Sequence, residues 1–416
     1  MTKKYVIIGS GIAGVTAADT IRSLDPDGQI TIFNNEPYPF YFRPALSFYF
    51  KGAISENELS GKPDNWGEDS NIRVLSDKVV SVNTVEKTVT GENSHEEPYD
   101  KLLIATGATP FMLPWPGADL KGVFTYRTKM CAKMKVDYIK KRGVKNAVVV
   151  GGGILGIEMA ENFHNLDIPV TVLLRECAIL SLILDKAGSS IIRKQMEADG
   201  NRIICETEMV EILGSDGQVN AVKLKSGEVI PAEMVMIAIG VRAENGFLKD
   251  SGIELERGVP VDESYRTSAN DVFAAGDVAV RKMGDERIPC GTWLVAAEQG
   301  RAAGAKMAGD EQPVKENIFF NASHAYKSMY AVVGRYNAPE GNGVTHIAAK
   351  TENGKYAKVI LDGAKVIGGT FIGDIAPAWN VINAIENDIE LDPAVIKKGN
   401  VKEILSSMSS LPQLVY

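Results

Sequence analysis

Cysteine is scarce in this 416-residue chain, and its spacing suits neither redox nor metal chemistry. Cys131, Cys177, Cys205 and Cys290 form no C-x-x-C and no C-x4-C, so no redox disulfide or iron–sulfur motif is visible. All four are expected to be reduced structural or surface thiols, and no metal site is expected. Long apolar runs are missing too. None approaches the roughly 18 residues of a bilayer span, so no membrane segment is expected. Positive charge is in deficit, at net −8, which argues against general nucleic-acid binding and for solubility. The opening MTKKYVIIGSG runs straight into a core strand and leaves no room for a signal peptide, so a cytoplasmic location is expected.

Glycine, by contrast, is concentrated in two fingerprints 142 residues apart. The first is VIIGSGIAGVTAA, with Gly9, Gly11 and Gly14; the second is AVVVGGGILGIEMA, with Gly151, Gly153 and Gly156. Each follows a short β-branched strand, at residues 5–8 and 147–150, and opens a helical pattern. In that setting G-x-G-x-x-G binds a dinucleotide pyrophosphate. The glycines allow a tight turn and a close approach of backbone N–H groups, and the helix N-terminus adds partial positive charge. Two correctly flanked copies imply two dinucleotides, and so electron traffic between them.

The length suggests two or three domains. A helix to about Leu24 and a strand over 29–33 follow the first fingerprint, then an aromatic stretch at 38–50 holds seven of the chain's 30 aromatics. Strand-like segments come at 72–75 and 78–90, and an apolar strand at 101–105. Pro110, Pro114, Pro116 and Gly117 mark a linker, and a lysine-rich helical segment leads into the second fingerprint. The second unit continues through a strand at 170–174, a helix over 186–199, and strands at 218–225 and 234–239. From about Phe319 the pattern turns to several strands and then a helix near 378–387, which reads as a separate α+β domain.

These motifs, in this order, resemble the two-dinucleotide-binding-domain pyridine-nucleotide flavoproteins, and within them the FAD-dependent NAD(P)H:rubredoxin and ferredoxin reductases and the flavin part of nitrite reductases. The resemblance covers roughly residues 1–310. LLIATGATP (Ala105, Thr106, Gly107) resembles the first cross-over motif, and MIAIGVRAE, with Gly240, the second. TSANDVFAAGDVA, with Gly276 and Asp277, resembles the FAD ribityl and pyrophosphate signature; WLVAAEQGRAAG, with Trp293 and Gln299, resembles the helix under the flavin ring. The likeness implies an α/β fold of two Rossmann-like domains plus a C-terminal α+β domain. The FAD domain would be split over 1–120 and 240–315, with the NAD(P)H domain at 121–239 inserted and the tail at 316–416. His324-Ala325 stands where disulfide reductases carry a His-Pro pair; without the proline, that role is not expected.

Site residues follow from the likeness. The FAD site is expected to use Gly9, Gly11, Ala13, Gly14, Val79, Ala105, Thr106, Gly107, Gly276, Asp277, Trp293 and Gln299. An acid normally closes the second strand on the ribose hydroxyls; here Asn34 holds that position, so Glu36 is the candidate, the alternative being a solvated loop acid. Arg43 would face the FAD pyrophosphate. The nicotinamide nucleotide is expected on Gly151, Gly153, Gly156 and Gly240. Leu174 replaces the customary acid there, leaving Glu176 for ribose hydroxyls and Arg175 for a 2′-phosphate; NADH is favoured over NADPH.

Hydride passes from nicotinamide to flavin in such enzymes, and the protein supplies placement at about 3–3.5 Å. Disulfide reductases carry a cysteine pair shortly after the first βαβ start; peroxidases, oxidases and coenzyme A disulfide reductases carry one. Residues 43–51 contain none, which argues against disulfide and peroxide chemistry and leaves a one-electron iron–sulfur carrier, rubredoxin or ferredoxin, as acceptor. Relatives commonly read R-P-x-L-S-K, with the lysine near the flavin and paired to a glutamate of the second fingerprint helix. Here Phe48 holds the lysine position, Lys51 comes one turn later, and Glu158 holds the glutamate position. Lys51 taking over the role, held by Glu158, is one open reading; Lys51 exposed, with Glu158 helix-capping or solvated, is the other. Residues 127–145 hold eight basic side chains and one acid, either a docking patch for an acidic carrier or a solvated helix. Alternatives of function are a ferredoxin–NAD reductase serving a larger enzyme such as carbon monoxide dehydrogenase, or a non-catalytic nucleotide-sensing flavoprotein. Oligomeric state is not legible.

Overall fold

The computed structural model describes residues 2–283, 286–289, 291–314, 317–350 and 354–409; Cys290 lies outside them. The chain forms two compact units, one of Met1–Phe111, Arg127–Lys129 and Val241–Lys315, the other of Met112–Tyr126, Met130–Gly240 and Glu316–Tyr416.

In the first unit the strands Val272–Ala274, Lys101–Ile104, Lys4–Ile8, Gln29–Asn34 and Ile72–Ser76 lie in that order in one parallel sheet. Parallel strands covered on both faces read as continuous apolar runs, and Tyr5, Val6, Ile7 and Ile8 are all buried. The chain therefore returns from the second unit to complete a sheet that its N-terminus began. Helices Ile12–Leu24 and Trp293–Ala308 pack together at unusually short range. Gly300 and Gly304 make this possible: a Cβ at Gly300 would lie 2.2 Å from the Ala13 carbonyl oxygen, and one at Gly304 2.7 Å from that of Ala17. The segment at 78–90, read as one strand-like stretch, is a hairpin of Val79–Asn83 and Thr88–Gly91, joined antiparallel by Glu96–Pro98. Asn83 accepts two backbone N–H bonds, from Val85 and Glu86, and so folds the turn.

The second unit repeats the plan. Its parallel sheet runs Arg202–Ile204, Val170–Leu173, Ala147–Val150, Met234–Ile237, Val123–Phe124, with helices Ile154–Asn165 and Lys186–Ala198 and a three-stranded antiparallel layer beginning at Met209. The tail is α+β, as expected. Strands Phe320–Ala325, Ser328–Gly334, Lys365–Ile372, Tyr356–Asp362 and Val344–Lys350 form an antiparallel sheet in that order, and helices Ala378–Glu386 and Val401–Ser409 share its core. Polar bonds fasten this sheet to the Lys186–Ala198 helix and its flanks. Asp185, its N-cap, accepts from Tyr356 Oη and pairs with Lys358 at 3.1 Å; Gln195 donates to Ser328 and Asn201 to Tyr326; Asp199 meets Lys327 at 2.6 Å.

One expectation is overturned. Cys177 and Cys205 are not two reduced thiols but a disulfide, with sulfurs 2.01 Å apart. Parallel pairing of Val170–Leu173 with Arg202–Ile204 brings together the segments leaving the same ends of both strands. Cys131 is free.

Candidate functional site

The first fingerprint turns from the strand Lys4–Ile8 into the helix Ile12–Leu24. Gly9 has φ +110°, and a Cβ there would meet the Ala105 carbonyl oxygen at 2.3 Å, so only glycine fits. A Cβ at Gly14 would fall 2.0 Å from the Gly9 carbonyl oxygen, which fixes how closely the helix approaches the turn. Gly11 is the N-cap, with no side-chain cap and nothing within 4 Å of where its Cβ would be. The first-turn N–H groups therefore face open space, the arrangement that binds an anion.

The second fingerprint reproduces each distance. Gly151 has φ +115° and the same 2.3 Å approach, now to Ala238; Gly156 lies 2.2 Å, on the same construction, from the Gly151 carbonyl oxygen. Gly153 is an uncapped N-cap with open space around it. The backbone angles of the two N-caps agree within 3°, at φ −72° and −75°, with ψ −178° in both. Both cradles fit a pyrophosphate.

Around the first cradle, Ser10, Gly11, Glu36, Tyr41, Arg43 and Trp293 line one small pocket. Four of the residues expected to hold FAD are thus brought together. Asn34 explains why Glu36 is presented: its Oδ1 accepts from Glu36 N at 3.0 Å and its Nδ2 donates to the Tyr38 carbonyl at 2.9 Å, curling the strand end. Glu36 and Arg43, assigned to different parts of the ligand, form an ion pair at 2.8 Å, and Tyr41 Oη donates to the same carboxylate at 2.7 Å. Burial pushes the Tyr41 hydroxyl far above its ordinary value; Arg43 opposes this and Glu36 adds to it. Arg43 also donates to the Arg127 carbonyl at 2.6 Å. Phe40 stacks on Trp293 with ring centres 5.9 Å apart.

Asp277 pairs with Arg127 at 2.8 Å, and Gly276 N donates to Gln299 Oε1 at 2.8 Å. Thr106 Oγ1 donates to the Glu244 carbonyl at 2.6 Å and Glu244 N donates to the Gly107 carbonyl at 3.0 Å, so the strands Ala108–Pro110 and Val241–Ala243 that leave the two cross-over motifs pair antiparallel. Ala13 is buried under Gly300, and Val79 is buried in the core, leaving only its backbone for a ligand. Arg127, Tyr41 and Glu244 escaped sequence reading. As one charge among the eight at 127–145, Arg127 gave no separate signal, and the Arg127–Asp277 pair spans 150 positions.

Lys51 closes the short helix Leu46–Phe50, with its ammonium 4.9 Å from the centre of the Phe48 ring. Glu158 lies half-buried in the helix Ile154–Asn165. Burial, with the charge of Glu158 adding to it, pushes the Tyr330 hydroxyl up to about 12, against the bond that Asn321 donates. Leu174 is buried, whereas Arg175 and Glu176 are exposed.

Of the eight basic residues at 127–145, several are used internally. Arg127 is paired as above, Lys129 bridges Glu56 at 3.2 Å, and Lys135 is fully buried. Lys135 donates to the Cys131 carbonyl at 2.9 Å and lies over Phe124 and Tyr126; burial pulls its pKa down to about 8. Lys140, Lys141, Arg142 and Lys145 are exposed.

Two parallel sheets with the same glycine cradle at the same strand–helix turn define a protein that holds two dinucleotides. The family described as pyridine nucleotide-disulphide oxidoreductase matches residues 3–300, and the chain belongs to it. It is a flavoprotein oxidoreductase that uses FAD and a nicotinamide nucleotide. It is 30% identical over 392 residues to the nitrite reductase [NAD(P)H] of Bacillus subtilis, covering 94% of this chain and 48% of that one, so it spans about half that relative's length. It is 32% identical over 281 residues to the rubredoxin-NAD(+) reductase of Pseudomonas putida, covering 67% of this chain and 72% of that one. The crystal structure of a ferredoxin reductase of Rhodopseudomonas palustris matches its fold with a TM-score of 0.89, at 23% identity, over 98% of this chain and 100% of that one. No helix among the described residues is long and apolar enough to cross a membrane.

Proposed function

We propose that this chain carries electrons between NADH and a small iron–sulfur protein of the rubredoxin or ferredoxin type, without a redox cysteine beside the flavin. The observation that carries the reading is the pair of matched cradles, one beside Glu36, Arg43 and Trp293 and one beside Arg175 and Glu176, combined with a 43–51 segment free of cysteine. FAD, when bound, supplies two-electron uptake from the nicotinamide and one-electron release. The protein's own part is binding and placement. Uncapped N–H groups at Gly11 and Gly153 hold pyrophosphates, Glu36 and Arg43 divide between ribose and phosphate once FAD separates them, and Lys51 held by Glu158 places positive charge at the reduced ring. Residues 1–120 with 240–315 serve as the FAD domain, 121–239 as the nicotinamide nucleotide domain and 316–416 as the tail domain, in a cytoplasmic protein.

NADH is preferred over NADPH because Glu176 is the carboxylate nearest the ribose position. Arg175→Ala should move the ratio of kcat/KM values further toward NADH. The carrier docks on the exposed part of the 127–145 segment, where a local excess of positive charge meets an acidic partner. NADH oxidation with purified rubredoxin and ferredoxin as acceptors tests the whole reading; rapid dye reduction with neither carrier reduced would overturn the acceptor. Changing Lys140, Lys141 and Lys145 to Glu should raise KM for the carrier and weaken its salt dependence while dye reduction by NADH stays unchanged.

A further inference from the structure

Cys177 follows Arg175 and Glu176 directly, and Cys205 follows the edge strand Arg202–Ile204 of the same sheet. We propose that the Cys177–Cys205 pair is a reversible thiol–disulfide site that sets the affinity of the second cradle for its nucleotide. This rests on the reading above that the cradle at Gly151–Gly156 holds a nicotinamide nucleotide.

Three observations carry it. First, the disulfide ties down the ribose loop itself. Arg175, Glu176 and Cys177 are exposed, and among the described residues neither the Arg175 nor the Glu176 side chain makes a hydrogen bond or ion pair. The loop's backbone is anchored on either side, by Leu174 N to the Ile204 carbonyl at 2.9 Å and Leu180 N to the Gly152 carbonyl at 2.8 Å. Between these anchors, the covalent bond to Cys205 is the strongest constraint on where Arg175 and Glu176 stand. Second, Cys177 is an exposed residue, the setting in which an external thiolate approaches a disulfide. Third, Arg193 Nη1 lies 2.8 Å from Cys177 Sγ and 4.0 Å from Cys205 Sγ. A guanidinium at that distance favours the Cys177 thiolate, the nucleophile needed to close the bond again. Glu197, 3.3 Å from Arg193 Nε, takes part of that charge.

The reductant is a dithiol. Its thiolate attacks Cys177 Sγ, the bond to Cys205 breaks, and Cys205 leaves as a thiolate that takes up a proton. The second thiol of the reductant then attacks the mixed disulfide, releasing Cys177 as a thiolate beside Arg193 and leaving the reductant as a cyclic disulfide. Two electrons and one proton pass to the protein, and the second proton is released to solvent. The opened loop must be ordered anew by each incoming nucleotide.

The test uses the FAD-loaded protein, oxidised in air or treated with excess dithiothreitol and desalted. Alkylation with N-ethylmaleimide and peptide mass analysis should label Cys177 and Cys205 only after dithiothreitol. NADH binding should weaken by about fivefold or more on reduction, the equivalent of ordering one loop residue on binding. FAD content should not change. Cys205→Ser should bind NADH as the reduced protein does and ignore dithiothreitol. Labelling of both cysteines before reduction, or equal NADH affinity in the two states, would overturn the proposal. Absence of NADH binding in either state, with the labelling pattern intact, would instead overturn the nucleotide reading.

Discussion

Replacing Gly153 by alanine separates the fold of the second cradle from its function. The residue has φ −75° and ψ −178°, angles open to any amino acid, and its new Cβ would find no protein atom within 4 Å. The fold should accept the change. The remaining cost is that of alanine for glycine at an N-cap, about 0.5–1 kcal/mol, and a Tm lower by no more than about 2–4 °C. The new methyl group, however, takes up the space in which a pyrophosphate approaches the uncapped N–H groups of the helix. Losing one hydrogen bond to a charged group is worth about 1.5–3 kcal/mol, or roughly 10- to 150-fold in affinity. KM for NADH, measured with an artificial dye as acceptor, should rise by that factor while FAD content stays at one per chain. Gly156→Ala provides the contrast, because its Cβ would fall 2.2 Å from the Gly151 carbonyl oxygen and must push helix from strand. That variant should lose stability first. A Gly153→Ala enzyme with unchanged KM for NADH would refute the placement of the nucleotide at this turn.

Gly300→Ala should lower Tm and FAD retention together, by about 1–3 kcal/mol of overpacking, since the 2.2 Å contact is with backbone that cannot move aside alone; calorimetry and the flavin absorbance of the purified variant check both. Lys51→Met should slow flavin reduction by NADH about tenfold in stopped-flow traces, and an unchanged rate would remove Lys51 from the site. Asp271 accepts from Lys101 and Lys87, both at 2.6 Å, and these bonds hold its carboxyl below the usual range. A depressed folded-state pKa gives stability that is present above the unfolded value, about 3.9, and is lost as pH falls through the folded one. Asp271→Asn should therefore be less stable than the wild type at pH 7, with the gap in Tm closing below about pH 4; a gap that persists in acid would show the pairs to be incidental.

What the sequence made legible was local. A glycine required at the strand–helix turn betrays itself wherever it occurs, so both cradles and their flanking strands were readable, and the strand-like runs past Phe319 announced the tail sheet. What stayed hidden depends on register between distant segments. Cys177 and Cys205 are 28 positions apart and meet because two strands run parallel. Arg43 and Glu36 were read as separate ligand contacts because nothing in their spacing says they face each other. The basic run at 127–145 looked uniform, yet burial of Lys135 between Phe124 and Tyr126, and the pairing of Arg127 and Lys129, leave its positive face mainly at the C-terminal end. Charge count cannot separate a lysine that faces solvent from one that fills a core.

The bonds that fasten the tail sheet to the Lys186–Ala198 helix also bear on how the protein can be cut and recombined. Asp185 caps that helix through Gly188 N and at the same time receives Tyr356 and Lys358, so one carboxylate serves both a local helix start and a long-range clasp. A chain trimmed after residue 315 would strip this acid, Gln195, Asn201 and Asp199 of their tail partners, leaving Asp185 its cap on Gly188, Asn201 its bond to the Met196 carbonyl and Asp199 the nearby His164. A graft of a different tail onto the nucleotide unit has to bring matching donors for Asp185 and Asp199 and matching acceptors for Gln195 and Asn201. An exchange of the nucleotide-binding part of this unit therefore has to carry the tail sheet with it.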